Sequence, residues 1–582
     1  MHRSDGGRFT RITYSELQAT VDRVAESLAK IGCTRGDSIA ICGYHGVDWV
    51  IADLAVLKLG AVVVPIYPTL SPPAAAFILK DSGARLAFAE DARAFDAIES
   101  IRGDIPRLRN VVVFDPHGLE GRKGVIRFSD LKAGHKLSCE MVRAGEVREG
   151  PAEVSPEDTA TIVYTSGTTG EPKGAVLTHG NIVANALGGI ARFGVAPEDV
   201  YLSVLPMCHV LERIAGCYSH LFAGSTIAYG GGVATIVEDA RRIRPTHLAV
   251  VPRIIDKACE AAGQRVARSS RSRRMMVNSA IANLNRRANL LYAGKPVPPL
   301  LKLKCWFYDR TVAARFRRTV GGRLRLLICG GAPLDKKLAK LVWILGFNIV
   351  EGYGLTEASL AVSTTTLEDN HLGTVGKPYP GTEVRVGEND EILVRGPGVM
   401  KCYHNLPEET AAAIDKQGWL HTGDQGRFDA RGNLVVTGRI KELIVTSYGK
   451  NIGPAFIEGE ITRSPYIDQA ILCGDRRNYV TALIVPNRET LERFARKLGL
   501  QVRSYADLLT REEVRHLVAD EIEKATAACS PYEKVKAFVL LEEGFTVDNG
   551  LLTPTMKVRR SKIEQRYSGE IASMYAAQPG KP

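Results

Sequence analysis

The first periodic stretch of the chain is helical. Leu17, Val21, Val24, Leu28 and Ile31 recur at three- and four-residue spacing, Thr-Tyr-Ser-Glu at 13–16 reads as a capping box, and Gly32 supplies a stop. Short β-branched or apolar runs follow at 38–42, 61–66, 85–89, 111–114, 161–164, 225–229, 247–251 and 324–329, with helix-like segments between most of them. Strands alternating with helices predict α/β layers with largely parallel sheets. Burial on both faces explains why these runs are almost continuously apolar.

From about 260 to 325 the pattern turns long, basic and helical, broken by a Lys-Pro-Val-Pro-Pro loop at 295–299. Past Gly373, Gly and Pro punctuate short strands such as 383–386 and 391–394, which predicts a small β-rich module. A last section opens at Gly-Arg-Ile-Lys-Glu-Leu-Ile, 438–444, with its own strand at 480–485 and helix at 511–524. The expectation is an α/β protein. Residues 1–440 form a large N-terminal region of layered α/β subdomains plus the β module, and residues 441–582 form a small α+β C-terminal domain.

A chain of 582 residues exceeds one ordinary domain, and 45% hydrophobic with 24% charged residues excludes disorder as the default. Lys and Arg exceed Asp and Glu by 12, so the surface attracts nucleotides, coenzyme A, anionic lipid headgroups or nucleic acid. Charge alone does not choose among them. Arg271, Arg273, Arg274, Arg286 and Arg287 cluster in the basic stretch, which fits a docking patch and a solvated helix face equally. There is no zinc-finger, RNP or helix-turn-helix pattern, so no nucleic-acid partner is expected. The eleven Cys form no C-x-x-C pair, residues 1–20 hold no signal-peptide core, and no apolar run approaches the ~18 residues of a spanning helix. The expectation is a cytoplasmic protein open to peripheral contact with an anionic membrane.

The densest chemistry lies at 165–174, Thr-Ser-Gly-Thr-Thr-Gly-Glu-Pro-Lys-Gly, directly after the strand expected at 161–164. Gly167, Gly170 and Gly174 free the backbone to aim successive N–H groups into one anion nest. Thr165, Ser166, Thr168 and Thr169 add hydroxyls, and Lys173 adds a positive charge. The run suits a polyphosphate, although a polar turn that binds nothing has the same local character. It is not a Walker A loop, because no Gly-Lys-Ser/Thr closes it.

Residues 164–174 resemble the phosphate loop of the adenylate-forming superfamily, which includes acyl-CoA synthetases, coumarate-CoA ligases, luciferases and peptide-synthetase adenylation domains. The superfamily's other motifs follow in order. Gly-Gly-Ala-Pro-Leu at 330–334 resembles the segment lying against adenine, which implies roles for Gly331, Ala332 and Pro333. Glu-Gly-Tyr-Gly-Leu-Thr-Glu at 351–357 resembles the adenine and metal motif. It implies Glu351, Gly352, Tyr353 and Gly354 at the nucleotide, with Tyr353 stacked on the base, Thr356 at the α-phosphate and Glu357 on Mg2+. Thr-Gly-Asp at 422–424 implies Asp424 on the ribose hydroxyls, joined by Arg439. Thr-Pro-Thr-Met-Lys-Val-Arg at 553–559 resembles the terminal motif whose catalytic lysine is here Lys557.

The resemblance implies two half-reactions. A carboxylate attacks the α-phosphorus of ATP, releasing pyrophosphate, and the coenzyme A thiol then attacks the acyl-adenylate. Catalysis is positioning and charge neutralisation, with no general base needed. It also implies a mobile C-terminal domain with a hinge at Lys441, which swings residues 447–453 in to line the coenzyme A path through Gly449, Lys450 and Gly453. An ordinary hairpin turn would carry the same glycines. Leu-Pro-Met-Cys-His-Val-Leu-Glu-Arg at 205–213, Val-Pro-Arg-Ile-Ile at 251–255 and the insert ending at Leu301 are similar to the long-chain fatty acyl-CoA synthetase subgroup, and place His209 near the substrate carboxylate. Gln425, Tyr448 and Asn451 depart from the usual residues beside these motifs, and the resemblance begins late, at about residue 7. The expected activity is a long-chain fatty acid–CoA ligase using ATP, Mg2+ and coenzyme A. A fatty acyl-AMP ligase loading a carrier protein, an aryl or coumarate-type ligase, and a catalytically silent nucleotide-binding regulator are the rivals. Monomer and homodimer both stay open.

Overall fold

The computed structural model describes residues 2–3, 9–122, 124–134, 153–165, 172–440, 444–448, 451–527, 529–553 and 558–576. The opening helix, Tyr14–Lys30, has the expected capping box: Thr13 accepts from the Glu16 N–H, and Glu16 accepts from the Thr13 N–H. Val21, Val24, Ala25 and Leu28 form its buried face.

Two large sheets follow the apolar runs. The first carries, in order, Cys402–Tyr403, Lys173–Thr178, Thr159–Thr165, Val62–Ile66, Ser38–Cys42, Leu86–Ala89, Asn110–Val113 and Ile126–Arg127. The second runs Lys377–Pro378, Ser363–Thr364, Ile349–Tyr353, Leu326–Cys329, His247–Val250, Val200–Ser203, Thr226–Tyr229, His2–Arg3 and Phe9–Thr10. Their central strands are parallel; antiparallel pairing is confined to the Cys402–Tyr403 edge of the first sheet and to both edges of the second, while Ile126–Arg127 closes the first sheet in parallel. One core joins them: Ile39 and Phe88 of the first sheet, Leu202 and Ile328 of the second, and Trp49 and Val56 of the helix Val47–Lys58 belong to the same buried cluster.

One expectation is corrected. Residues 165–174 are not a loop throughout: Thr159–Thr165 pairs antiparallel with Lys173–Thr178, with Thr165 opposite Lys173 and Tyr164 opposite Gly174. Gly174 is needed for room, because a Cβ there would lie 2.7 Å from Ile162 Cγ2 and 3.0 Å from the Tyr164 ring.

The β module is an antiparallel sheet of Glu383–Val386, Glu391–Arg395, Leu420–Phe428 and Leu434–Arg439. The basic stretch is helical as expected: Pro252–Ala267, Arg271–Tyr292 and Pro299–Tyr308, the last starting on the final proline of the 295–299 loop. From Ile444 onward, Ile467–Cys473, Val480–Pro486 and Val535–Leu540 form a three-stranded sheet with buried clusters of their own. Among the described residues no helix is long and apolar enough to cross a membrane.

Candidate active site

The central strands of both sheets deliver their C-terminal ends to one cavity of about 830 Å3. Thr165 ends a strand of the first sheet; Gly330 and Gly331 follow Leu326–Cys329, and Gly354 follows Ile349–Tyr353, in the second. The β module adds Thr422, Asp424 and Arg439, and Arg559 reaches the same wall from the C-terminal section. Ligand sites outside the carboxyl ends of parallel strands are the general rule for α/β sheets.

One side of the cavity is polar. Tyr403 Oη donates to Glu357 Oε1 at 3.0 Å, and Thr165 Oγ1 lies 3.5 Å from the same oxygen. Lys173 Nζ sits 5.3 Å from the centre of the Tyr403 ring. Sequence reasoning missed Tyr403. It comes from the two-residue strand Cys402–Tyr403, paired with Ala175 and Val176, and no motif marks it.

A second polar group lies on the β module. Asp424 and Arg439 face each other across antiparallel strands, with Arg439 Nε donating to Asp424 Oδ1 at 2.9 Å. Tyr353 Oη donates to Asp424 Oδ2 at 2.7 Å. Burial and the adjacent carboxylate push the Tyr353 hydroxyl well above the usual tyrosine range, so it remains a donor. Each carboxylate oxygen keeps a lone pair for a further donor.

His209 lines the cavity, and the Leu211 N–H donates to its Nδ1 at 3.1 Å. The neutral ring therefore carries its proton on Nε2. Beyond His209 the wall becomes apolar, with Leu211, Ala215, Phe193, Ile328 and Leu360.

Gly354 is fixed by space: a Cβ there would fall 1.5 Å from the Leu360 carbonyl oxygen. Gly331 adopts φ +83, which side chains resist.

Thr165, Lys173, His209, Gly331, Gly352, Tyr353, Gly354, Thr356, Glu357, Asp424 and Arg439 all line this cavity. Three expected nucleotide residues do not. Ala332 and Pro333 lie off the wall, and Glu351 is buried behind it. Burial, with Asp335 adding, pushes the Glu351 carboxyl up to about 7, while the Gly373 N–H and Lys336 oppose the shift. Gly453 caps the helix Pro454–Ile461 away from the cavity. Ser166, Gly167, Thr168, Thr169, Gly170, Lys441, Gly449, Lys450 and Lys557 lie outside the described residues.

The strand leading into the cavity is braced from below. Arg213, buried, donates from NH1 to Thr161 Oγ1 at 2.8 Å and pairs with the buried carboxylate of Asp53, which also accepts from Tyr218 Oη. Thr161 Oγ1 donates to the Val63 carbonyl at 2.6 Å.

Residues 3–404 match the family model described as AMP-binding enzyme, and residues 441–579 match that of the AMP-binding enzyme C-terminal domain. The long-chain-fatty-acid--CoA ligase FadD15 of Mycobacterium bovis is 33% identical over 98% of this chain and 93% of its own length. The peroxisomal long chain acyl-CoA synthetase 7 of Arabidopsis thaliana is 31% identical over 99% of this chain and 83% of its own. In fold, the chain is similar to ATP-bound MatB from Rhodopseudomonas palustris, with a TM-score of 0.69 and 22% identity over 97% of this chain and 95% of that one.

Proposed function

Because the chain belongs to the AMP-binding enzyme family, we propose that it is an AMP-forming long-chain fatty acid–CoA ligase. It activates the acid as an acyl-adenylate with release of pyrophosphate and transfers the acyl group to coenzyme A. The observation that carries this reading is the single cavity in which a cationic and hydroxyl-bearing wall, at Lys173, Thr165 and Thr356, continues into an apolar one at Leu211, Ala215 and Phe193. That combination suits a triphosphate beside a fatty chain, whose burial contributes about 0.8 kcal/mol per CH2. The substrate class also rests on the long-chain ligases that match nearly the whole chain.

In this reading Lys173 and the loop after Thr165 hold the β- and γ-phosphates, and Thr356 holds the α-phosphate. Tyr353 lies against the base, and Asp424 with Arg439 holds the ribose. His209 sits at the acid's carboxylate. Glu357 suits Mg2+: it is a hard carboxylate on the cavity wall with two hydroxyls beside it. When bound, the ion neutralises phosphate charge.

Lys557 neutralises charge developing between the carboxylate and the α-phosphate. A C-terminal domain beginning at 441 turns about Lys441 between the half-reactions, bringing Gly449, Lys450 and Gly453 to the pantetheine path. The enzyme works in the cytoplasm, in contact with an anionic membrane where its substrate partitions. The test is purified protein with Mg-ATP, coenzyme A and acids of graded length, following AMP release. Maximal rates with long saturated acids support the reading, and rates confined to aryl acids or to a carrier-protein acceptor overturn it.

A further inference from the structure

We propose that the helix Pro299–Tyr308 is a docking element for an anionic lipid bilayer, inserting an outward apolar face among the headgroups. The helix turns Leu301 and Cys305 inward, where they pack with Leu284 and Ala288 of the helix Arg271–Tyr292. At about 100° per residue, the opposite side carries Leu300, Leu303, Trp306 and Phe307. These are 66%, 62%, 55% and 50% exposed. Lys302 and Lys304, both exposed, fall at the two edges of that arc. Arg310 places its guanidinium 4.8 Å from the centre of the Trp306 ring.

Charge selects the occupant. Between residues 261 and 308 the chain has ten Lys and Arg and no Asp or Glu. A second copy docked on the same face would bring these cations against one another. A nucleic acid would satisfy the cations and leave Leu303 and Phe307 in water. An apolar arc with an aromatic residue and lysine borders matches a helix lying in a bilayer interface, where lysine stems lie along the acyl boundary and their heads reach lipid phosphate. The helix is ten residues long, which suits lying on a bilayer and not crossing it. The inference deepens the reading above, and rests on it only for the use of the surface: a fatty acid partitions into lipid, and this helix holds the enzyme there.

The test is flotation of the full chain with phosphatidylcholine vesicles, with and without phosphatidylglycerol, and tryptophan emission followed in parallel. Binding to the anionic vesicles alone is expected, with a blue shift that Trp306→Phe removes. The bound fraction should fall roughly tenfold in Leu303→Ser/Phe307→Ser and again in Lys302→Glu/Lys304→Glu. Acyl-adenylate formation from a soluble medium-chain acid, without vesicles, should be unchanged in both. Absence of binding, binding undiminished by Leu303→Ser/Phe307→Ser, a Trp306-independent blue shift, or conversion of a dimer to a monomer by that variant would each overturn the proposal. Vesicle binding by a wild-type protein that activates no acid would support the docking surface and overturn the ligase reading. Acid activation without vesicle binding would do the reverse.

Discussion

Arg439 and Asp424 are direct neighbours across the antiparallel strands Leu434–Arg439 and Leu420–Phe428, and the guanidinium holds one carboxylate oxygen while Tyr353 holds the other. The carboxylate is oriented before any ligand arrives, and its remaining lone pairs face the cavity that it lines. Charge-assisted hydrogen bonds to two hydroxyls depend on that charge. Asp424→Asn should raise the KM for ATP about ten- to a hundredfold, with a smaller change in KM for the fatty acid. Steady-state kinetics with each substrate varied in turn checks this; equal changes in both would remove the assignment to ribose.

Arg213 and Asp53 are separated by 160 residues and both buried. Removing one partner leaves a charge stranded in the core, so Arg213→Met should destabilise the protein by about 3–5 kcal/mol. Asp53→Asn/Arg213→Met should recover part of that loss. Chemical denaturation of the two variants measures both effects, and a double variant no more stable than Arg213→Met would show that the pair is not coupled.

Gly354 has no room for a side chain beside the Leu360 carbonyl. Gly354→Ala forces the turn between Tyr353 and Thr356 to move, and should cost more than about 2 kcal/mol together with most of the adenylation rate. Gly432→Ala is the control: its φ is +78 and its Cβ would meet nothing within 4 Å, so only backbone strain of about 1 kcal/mol is expected. Thermal unfolding and pyrophosphate release separate the two.

A buried histidine pair gives the acid limb of stability a definite sign. Arg325 NH2 lies 3.0 Å from His247 Nε2, His247 Nδ1 lies 2.9 Å from His220 Nε2, and His220 Nδ1 lies 2.7 Å from the Gly216 carbonyl. The consistent assignment has Arg325 donating to His247, His247 to His220, and His220 to Gly216, with both rings neutral. Burial lowers His220 to about 4. Burial, with His220 adding and Asp199 opposing, lowers His247 to about 3. The unfolded chain protonates these rings near pH 6.5, so the stability of the neutral pair is full above that pH and is lost as pH falls from about 6.5 towards 3. The loss is on the order of a few kcal/mol. His220→Gln should flatten the dependence of Tm on pH across that window, and an unchanged slope would refute the pair's role.

Much of this was legible in advance where local pattern and tertiary role agree. Ser38–Cys42 and Glu383–Val386 lie at the expected positions because each apolar or alternating run is bounded by residues that cannot extend it. The motifs are local, so Thr165, Tyr353, Thr356 and Asp424 could be named before their place on one cavity was visible. Long-range pairings were not legible. Nothing near Tyr403 announces that its hydroxyl meets Glu357, and nothing near Asp53 announces Arg213. The strand starting at Lys173 was hidden because a lysine beside glycines reads as loop until its partner at Thr165 is seen. That the Glu351 side chain is buried and off the cavity wall was not legible either, because motif adjacency to Tyr353 does not determine on which side of the wall a side chain is buried.

The reaction proposed for this cavity is adenylate formation, with Lys557 neutralising the developing charge. Acid-dependent exchange of labelled pyrophosphate into ATP, measured without coenzyme A, isolates that step. Palmitate should drive exchange in the wild type, and Lys557→Ala should reduce it by at least about a hundredfold. A wild-type protein giving no exchange with any carboxylic acid, or a Lys557→Ala variant exchanging at the wild-type rate, would contradict the account.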